Sequence, residues 1–150
     1  MDKFEEIKNL IEDNSEILNF AEYGDGVSDE EILSAERRLN VVFPPSYIWW
    51  LKHYFGGEIY GDEIFSIYNS EDEDIPGGDI VYINKLDRKN GFINSTQLSI
   101  MSNDVGETFF FDLLKIDENG EAPVYKLPSN EKYANDFLDF LKKQILEKYL

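Results

Sequence analysis

The stretch FPPSYIWWLKHYFGG, residues 43–57, contains both tryptophans of the chain, two adjacent prolines and two adjacent glycines. Its apolar residues at positions i, i+3, i+4 and i+7 are Tyr47, Trp50, Leu51 and Tyr54. This spacing predicts a helix with one face in the core. The prolines suit its first turn, where the lost N–H has no intrahelical partner. Gly56 is expected to end the helix as its left-handed residue.

Further helices are predicted on both sides of this stretch. Ser28 and Glu31 have the spacing of a capping box, and an apolar face follows them. An amphipathic helix opens the chain on Phe4, Ile7, Leu10 and Ile11. The chain closes with a helix whose inward stripe is Ala134, Phe137, Leu138, Leu141 and Ile145. Residues 79–90 favour a helix, although a strand is left open there.

The region between these helices reads as β-structure. Four segments rich in β-branched and aromatic residues, DEIFSIY, TQLSIMSN, GETFFFDLLKI and APVYKL, are bounded by turn residues. The turns NDVG at 103–106 and DENG at 117–120 predict an antiparallel meander. Three consecutive phenylalanines at 109–111 predict a central strand covered on both faces. The expected fold class is α+β: N-terminal helices, a mostly antiparallel sheet and a C-terminal helix packed on it.

Length and composition indicate one domain, residues 1–150, that folds without disulfides, because 150 residues bury a sizeable core and cysteine is absent. No apolar run suits a signal peptide or a membrane span, which predicts a soluble cytoplasmic protein without membrane contact. The net charge of −17 disfavours direct binding of nucleic acid. It favours basic protein partners, although acidity also serves solubility alone.

The sequence contains no pattern typical of a catalytic, cofactor or metal site. His53 is the only histidine, and without cysteines a zinc site is excluded. The acidic stretches match only fragments of a calcium loop, and phosphate-binding glycine motifs are missing. A hydrolase using paired carboxylates remains open on composition, but an enzyme is not expected.

The order of motifs between residues 28 and 57 resembles the SUKH superfamily, the bacterial relatives of a fungal cell-wall synthesis regulator. The positions that carry the resemblance are Glu36, Leu39, Pro44 or Pro45, Tyr47, Trp50, Leu51, Gly56 and Gly57. The family often has Asn before its glycine pair, whereas this chain has Phe55. The softer part of the resemblance covers the aromatic strand and the final helix, so that nearly the whole chain fits a SUKH-like domain.

The resemblance implies a function in protein binding. Bacterial members of the superfamily are known largely as immunity proteins, that is, antitoxins that block a cognate polymorphic or contact-dependent toxin domain. That toxin is often a nuclease, and a basic nuclease would suit the acidic charge of this chain. The alternative is a regulatory protein-binding module like the fungal branch. Neither reading requires a cofactor, and a monomer is slightly favoured.

Candidate partner-binding residues follow from charge and spacing. Trp49 lies off the apolar stripe of its helix, and an exposed tryptophan is a common anchor in interfaces. The acidic candidates are Glu71, Asp72, Glu73, Asp74, Asp117 and Glu118. The motif residues of the resemblance are expected to be mainly structural, because apolar and glycine positions of this kind usually serve packing.

Overall fold

The computed structural model describes residues 2–68 and 78–147, which form an α+β fold. The helices are α1 (Lys3–Asp13), α2 (Asp29–Leu39), α3 (Pro45–Tyr54), α4 (Ile80–Lys89) and α5 (Phe137–Leu146). The strands are β1 (Gly57–Ile59), β2 (Asp62–Ile64), β3 (Gln97–Ser102), β4 (Thr108–Asp112), β5 (Val124–Leu127) and β6 (Glu131–Ala134). The predicted fold class is confirmed. Within the described ranges, no helix combines the length and hydrophobicity that a bilayer crossing requires.

The six strands form one antiparallel sheet in sequence order, β1-β2-β3-β4-β5-β6. The meander around β4 is therefore confirmed, and β4 lies inside the sheet with both faces buried. Phe109 and Phe111 point into the main core, where Phe109 contacts Phe140 of α5 at 5.4 Å between ring centroids. Phe110 lies on the opposite face and stacks on Tyr125 at 6.1 Å.

Helix α3 is buried along the face predicted from its spacing. Tyr47, Trp50 and Leu51 have no solvent exposure. The Tyr47 hydroxyl donates a hydrogen bond of 2.6 Å to the Phe65 carbonyl, and burial raises the pKa of this phenol well above its usual value. The Trp50 ring lies 5.8 Å from the ring of Phe137 in α5. Helix α3 is thus joined to both the β2 side of the sheet and the C-terminal helix.

The N-terminal ends of α2 and α3 are capped in different ways. The predicted capping box is present, since the Ser28 hydroxyl accepts from the Glu31 amide and Glu31 accepts from the Ser28 amide. In α3 the residue before the helix is Pro44, which offers no side-chain acceptor. Instead Glu121, buried at 4% exposure, accepts bonds from the Ser46 hydroxyl at 2.7 Å and the Ser46 amide at 3.3 Å. A carboxylate distant in sequence therefore caps α3.

The prediction for the end of α3 is wrong in one respect. Phe55, not Gly56, has the positive φ of 65°, and the Gly56 amide donates across it to the Tyr54 carbonyl at 2.7 Å. This is a γ-turn. A left-handed glycine is less necessary at a helix end when other donors bond to the last carbonyls of the helix. Here the segment before α2 supplies them, with bonds from Ala21 to Tyr54 and from Val27 to Leu51.

Two further boundaries differ from the sequence prediction. The C-terminal helix begins only at Phe137, where the Asp136 side chain accepts from the Asp139 amide as N-cap. Ala134, predicted on the helical stripe, lies in β6 and pairs with Val124 of β5. Strand β1 was also missed, because three residues that pair only through tertiary contact leave little sequence pattern. Residues 79–90, left open above, contain helix α4.

Replacement of Trp50 tests the importance of this core. Trp50→Ala is expected to lower the free energy of unfolding by about 3–5 kcal/mol, through lost apolar burial and a cavity. Trp50→Phe should cost clearly less, because an aromatic ring still fills most of the site and, within residues 2–68 and 78–147, the indole N–H has no hydrogen-bond partner to lose. Both values can be measured by urea unfolding. Equal losses for the two variants would contradict a core role based on ring packing.

Candidate functional site

The motif residues of the SUKH resemblance lie mostly in the core. Leu39, Tyr47, Trp50 and Leu51 are at most 1% exposed, and Pro44 is buried whereas Pro45 is exposed. The Glu36 carboxylate accepts a 2.7 Å bond from the Phe43 amide, which ties α2 to the segment before α3. The glycine pair allows close packing, because a Cβ on Gly57 would lie 2.0 Å from the Asn19 carbonyl oxygen and one on Gly56 would lie 3.0 Å from the Ser66 side chain. Most of these residues therefore have a structural role.

Trp49 is half-buried under α1 rather than freely exposed. Its ring lies 5.2 Å from that of Phe4 and 5.6 Å from that of His53. His53 in turn stacks on Tyr23 at 4.5 Å, and the pKa of its imidazole is lowered by burial and by nearby Lys52 and Lys8. The half-buried position of His53 agrees with its place off the inward stripe. Most of the contact area of Trp49 is therefore already used within the chain.

The acidic turn at residues 117–121 has two kinds of carboxylate. Asp117 accepts backbone bonds from Asn119 at 2.8 Å and Glu121 at 3.0 Å, so it shapes the turn. Glu118 is exposed beside it. Glu121 is buried as the cap of α3, and burial raises the pKa of its carboxyl while the Ser46 bonds oppose that change. Only the exposed members of the turn can meet a partner.

The four predicted acidic residues Glu71, Asp72, Glu73 and Asp74 lie outside the described residues. Tyr68 and Gly78 are the described residues on either side of positions 69–77, and both lie against Glu63. The Tyr68 hydroxyl donates to the Glu63 carboxylate at 3.0 Å, and a Cβ on Gly78 would fall 1.7 Å from a Glu63 oxygen. The pKa of Tyr68 is raised by burial first and by Glu63 second. Glu63 is thus fixed in orientation.

An open groove lies on the face of the sheet that α4 covers, and Glu63 is one of its lining residues. It has a volume of about 990 Å³ and runs between α4, the β1–β2 turn and the β3–β4 turn, reaching the end of β5. Its carboxylates are Asp62, Glu63, Asp87 and Asp104, and no lysine or arginine of the described residues lines it. The groove is therefore an acidic concave surface.

Apolar side chains form much of the rest of the groove. They are Phe65, Ile83, Leu86, Phe92, Ile93 and Leu127. Leu86 is 41% exposed and Phe92 is 66% exposed, while Phe65 and Ile93 are buried. Single exposed apolar residues are common, but a contiguous apolar lining framed by polar groups is typical of an interaction surface.

Three of the four groove carboxylates have no basic partner in the described ranges. Over residues 2–68 and 78–147, Glu63, Asp87 and Asp104 form no ion pair with a lysine or arginine. Asp87 accepts a 3.1 Å bond from the Ser99 hydroxyl, and burial raises the pKa of its carboxyl against the effect of that bond. A cationic group bound there would recover the electrostatic energy that the chain itself does not use.

Helix α4 is held in place beside the groove by a buried amide. The Asn84 side chain donates to the Ser99 carbonyl at 2.9 Å and accepts from the Ser99 amide at 2.7 Å. This two-way pairing occurs where the register between β3 and β4 shifts, between Ser99 and Met101. Leu86 and Asp87 therefore project from a fixed helix rather than from a loop, which favours a preformed surface.

The groove residues were not among those predicted from sequence. A signal was present in α4, where the apolar stripe Ile80, Ile83 and Leu86 passes from buried to half-buried to exposed. A stripe that extends beyond its own core predicts a second contact surface. The carboxylates come from three separate elements, β2, α4 and the β3–β4 turn, and only the fold brings them together. In the described part of the chain, no group of three or more potential ligands could hold a metal ion.

Comparison with family models matches residues 29–141 to the SMI1-KNR4 cell-wall family, a SUKH family. The match extends from the start of α2 into α5 and covers about three quarters of the 150 residues. It includes every position that carries the motif resemblance and most of the sheet. A search of curated proteins finds no match. On the strength of the family match, the chain belongs to the SUKH superfamily.

Proposed function

We propose that this protein is a non-enzymatic immunity protein. It would bind a cognate polymorphic or contact-dependent toxin domain, a basic nuclease, in the cytoplasm and block its activity without a cofactor. The observation that carries the proposal is the charge pattern: a net charge of −17 on a SUKH fold, with an acidic groove that no basic residue lines in the part of the chain that the structure describes. Trp49, the 71–74 run and the pair Asp117 and Glu118 are proposed as further contacts at or near the interface.

The electrostatics support a basic protein partner over nucleic acid. The chain has 31 acidic and 14 basic side chains, so its field repels phosphate and attracts a cationic surface. Nucleases are basic where they hold phosphate, and an acidic inhibitor that covers this surface excludes the substrate by occupancy alone. Binding is then sufficient for inhibition, and no catalytic group is needed on this chain.

The packing of the titratable side chains also supports binding over catalysis. The one histidine of the chain stacks on Tyr23 and lies at a tilted angle to Trp49, and burial and nearby lysines lower the pKa of its imidazole. Within residues 2–68 and 78–147 these contacts supply no nucleophile for it to activate. The alternative function is a regulatory protein-binding module. The match to a cell-wall family supports this alternative, because a regulatory module would use the same fold to bind another protein without neutralising a toxin.

Co-expression tests the proposed function directly. Cells that express the toxin domain encoded beside this protein should grow when the protein is present and stop growing when it is absent. Pull-down of the same pair should give a stable complex. A catalytically inactive toxin serves as the control for expression burden. Binding without rescue of growth would favour the regulatory alternative, and failure of both would contradict the proposal.

The rate of association should depend strongly on salt. The Debye length falls from about 30 Å at 0.01 M to about 3 Å at 1 M ionic strength, so a steered encounter slows markedly across that range. Dissociation should change much less, because short contacts determine it. Stopped-flow or surface-based kinetics with the purified toxin domain measure both rates. An association rate that is flat across salt would contradict steering.

Neutralising Glu71, Asp72, Glu73 and Asp74 together should slow association further than the loss of four charges elsewhere. The matched control neutralises four exposed carboxylates of the N-terminal segment, Glu6, Glu12, Asp13 and Glu16. The control variant should keep its folding stability, because exposed charges contribute little to it. The 71–74 variant is expected to match it in urea unfolding. Equal rates for the two variants would indicate that only the net charge matters and would remove the 71–74 run from the interface.

A further inference from the structure

The geometry points to the groove beside α4 as the docking site for an arginine-bearing apolar segment of the protein partner. This inference rests on the proposed function in that it takes the partner to be a basic protein. It goes further by committing to one surface and to one kind of occupant. The groove volume of about 990 Å³ is at the upper end of the roughly 300–1,000 Å³ typical of ligand pockets, so it accommodates several side chains of a segment.

The apolar part of the groove determines one half of the occupant. Exposed Phe92 and Leu86 line the groove together with buried Phe65 and Ile93, which gives the groove an apolar part beside its carboxylates. Covering Phe92 and Leu86 removes apolar surface from water, at roughly 25 cal/mol per Å². A purely charged strand of lysines would leave this area wet. The occupant therefore carries apolar side chains.

The carboxylates determine the other half. Glu63, Asp87 and Asp104 line the same groove without an ion pair to a basic group in the described ranges. Glu63 and Asp87 are also oriented, by the Tyr68 and Ser99 hydroxyls respectively. Fixed carboxylates without a cation are complementary to a fixed-geometry donor, and the planar guanidinium fork provides one.

Arginine fits this mixture better than lysine. Its aliphatic stem packs on apolar surface while its charged head remains near a carboxylate, as the adjacent positions of Leu86 and Asp87 require. Its guanidinium also stacks on an aromatic face, which exposed Phe92 offers. The ammonium of lysine is more strongly hydrated and forms neither the fork nor the stacked contact.

A peptide titration tests this inference without the toxin. A six-residue peptide of alternating leucine and arginine, capped at both ends, is titrated into the ¹⁵N-labelled protein and followed by NMR. Saturable shifts are expected in the amides of residues 83–93 and 102–108. Peptides of alternating glycine and arginine, and of alternating leucine and lysine, serve as controls that remove the apolar half and the guanidinium respectively. Both controls should bind more weakly.

Two variants and two matched controls complete the test. Phe92→Ser should weaken the leucine–arginine peptide by about fivefold, the size of one exposed cation–π contact. Asp87→Asn, which keeps an acceptor for Ser99, should weaken it by about two- to fivefold. Leu114→Ser and Asp25→Asn make comparable changes at exposed positions outside the groove and should leave affinity unchanged.

Three outcomes would overturn the docking site. They are equal binding of the glycine–arginine peptide, shifts centred on residues 117–121 or on Trp49, and wild-type affinity of the Phe92→Ser variant. Because the titration contains no toxin, it is independent of growth rescue. Rescue of growth together with peptide shifts outside the groove would reject the groove and retain the immunity function. Groove binding without rescue of growth would retain the groove and reject the immunity function.

Discussion

Burial of the aromatic face of α3 is the interaction on which the rest of the structure depends. Tyr47 and Trp50 are completely enclosed, Tyr47 by its bond to the Phe65 carbonyl and by Phe111 of the central strand, and Trp50 by Phe137 of α5. The helix therefore joins the sheet to the C-terminal helix. Both of its ends are satisfied by distant segments, since Glu121 caps the start and residues 21–27 cover the end. Such long-range capping makes the surrounding elements depend on α3.

This arrangement explains why the family motif is structural. Glu36 holds the connection into α3, and Gly57 admits the segment that carries Asn19. A residue that is buried or fixed in this way cannot also vary to suit different partners. Residues that do not pack in the core are better suited to recognition. On the α4 face of the sheet, Asn84 anchors the helix to β3 while Leu86 and Asp87 line the open groove.

The sequence predicted those parts of the fold that local chemistry determines. The stripe of α3, the Ser28–Glu31 box and the turns around β4 follow from spacing and residue type, and each is present. Elements that depend on tertiary pairing were not predicted. Strand β1 has only three residues, and strand β6 occupies positions assigned to the last helix, which begins at Phe137. The positive φ of Phe55 was also not predicted. It depends on backbone donors from residues 21–27, which reach the end of α3 only in the folded chain. The groove unites residues of several elements, which no local pattern could show.

Packing and recognition are assigned to different faces of the molecule: α3 packs in the core, and the acidic groove is the proposed recognition surface. Hydrogen–deuterium exchange of the protein alone and in complex with the purified toxin domain tests this separation most directly. Residues 83–93 and 102–108 are predicted to gain protection on binding, whereas the amides of the buried α3 residues Trp50 and Leu51 should exchange slowly with and without the toxin domain. New protection confined to α1 and the Trp49 end of α3, with the groove unaltered, would contradict the account.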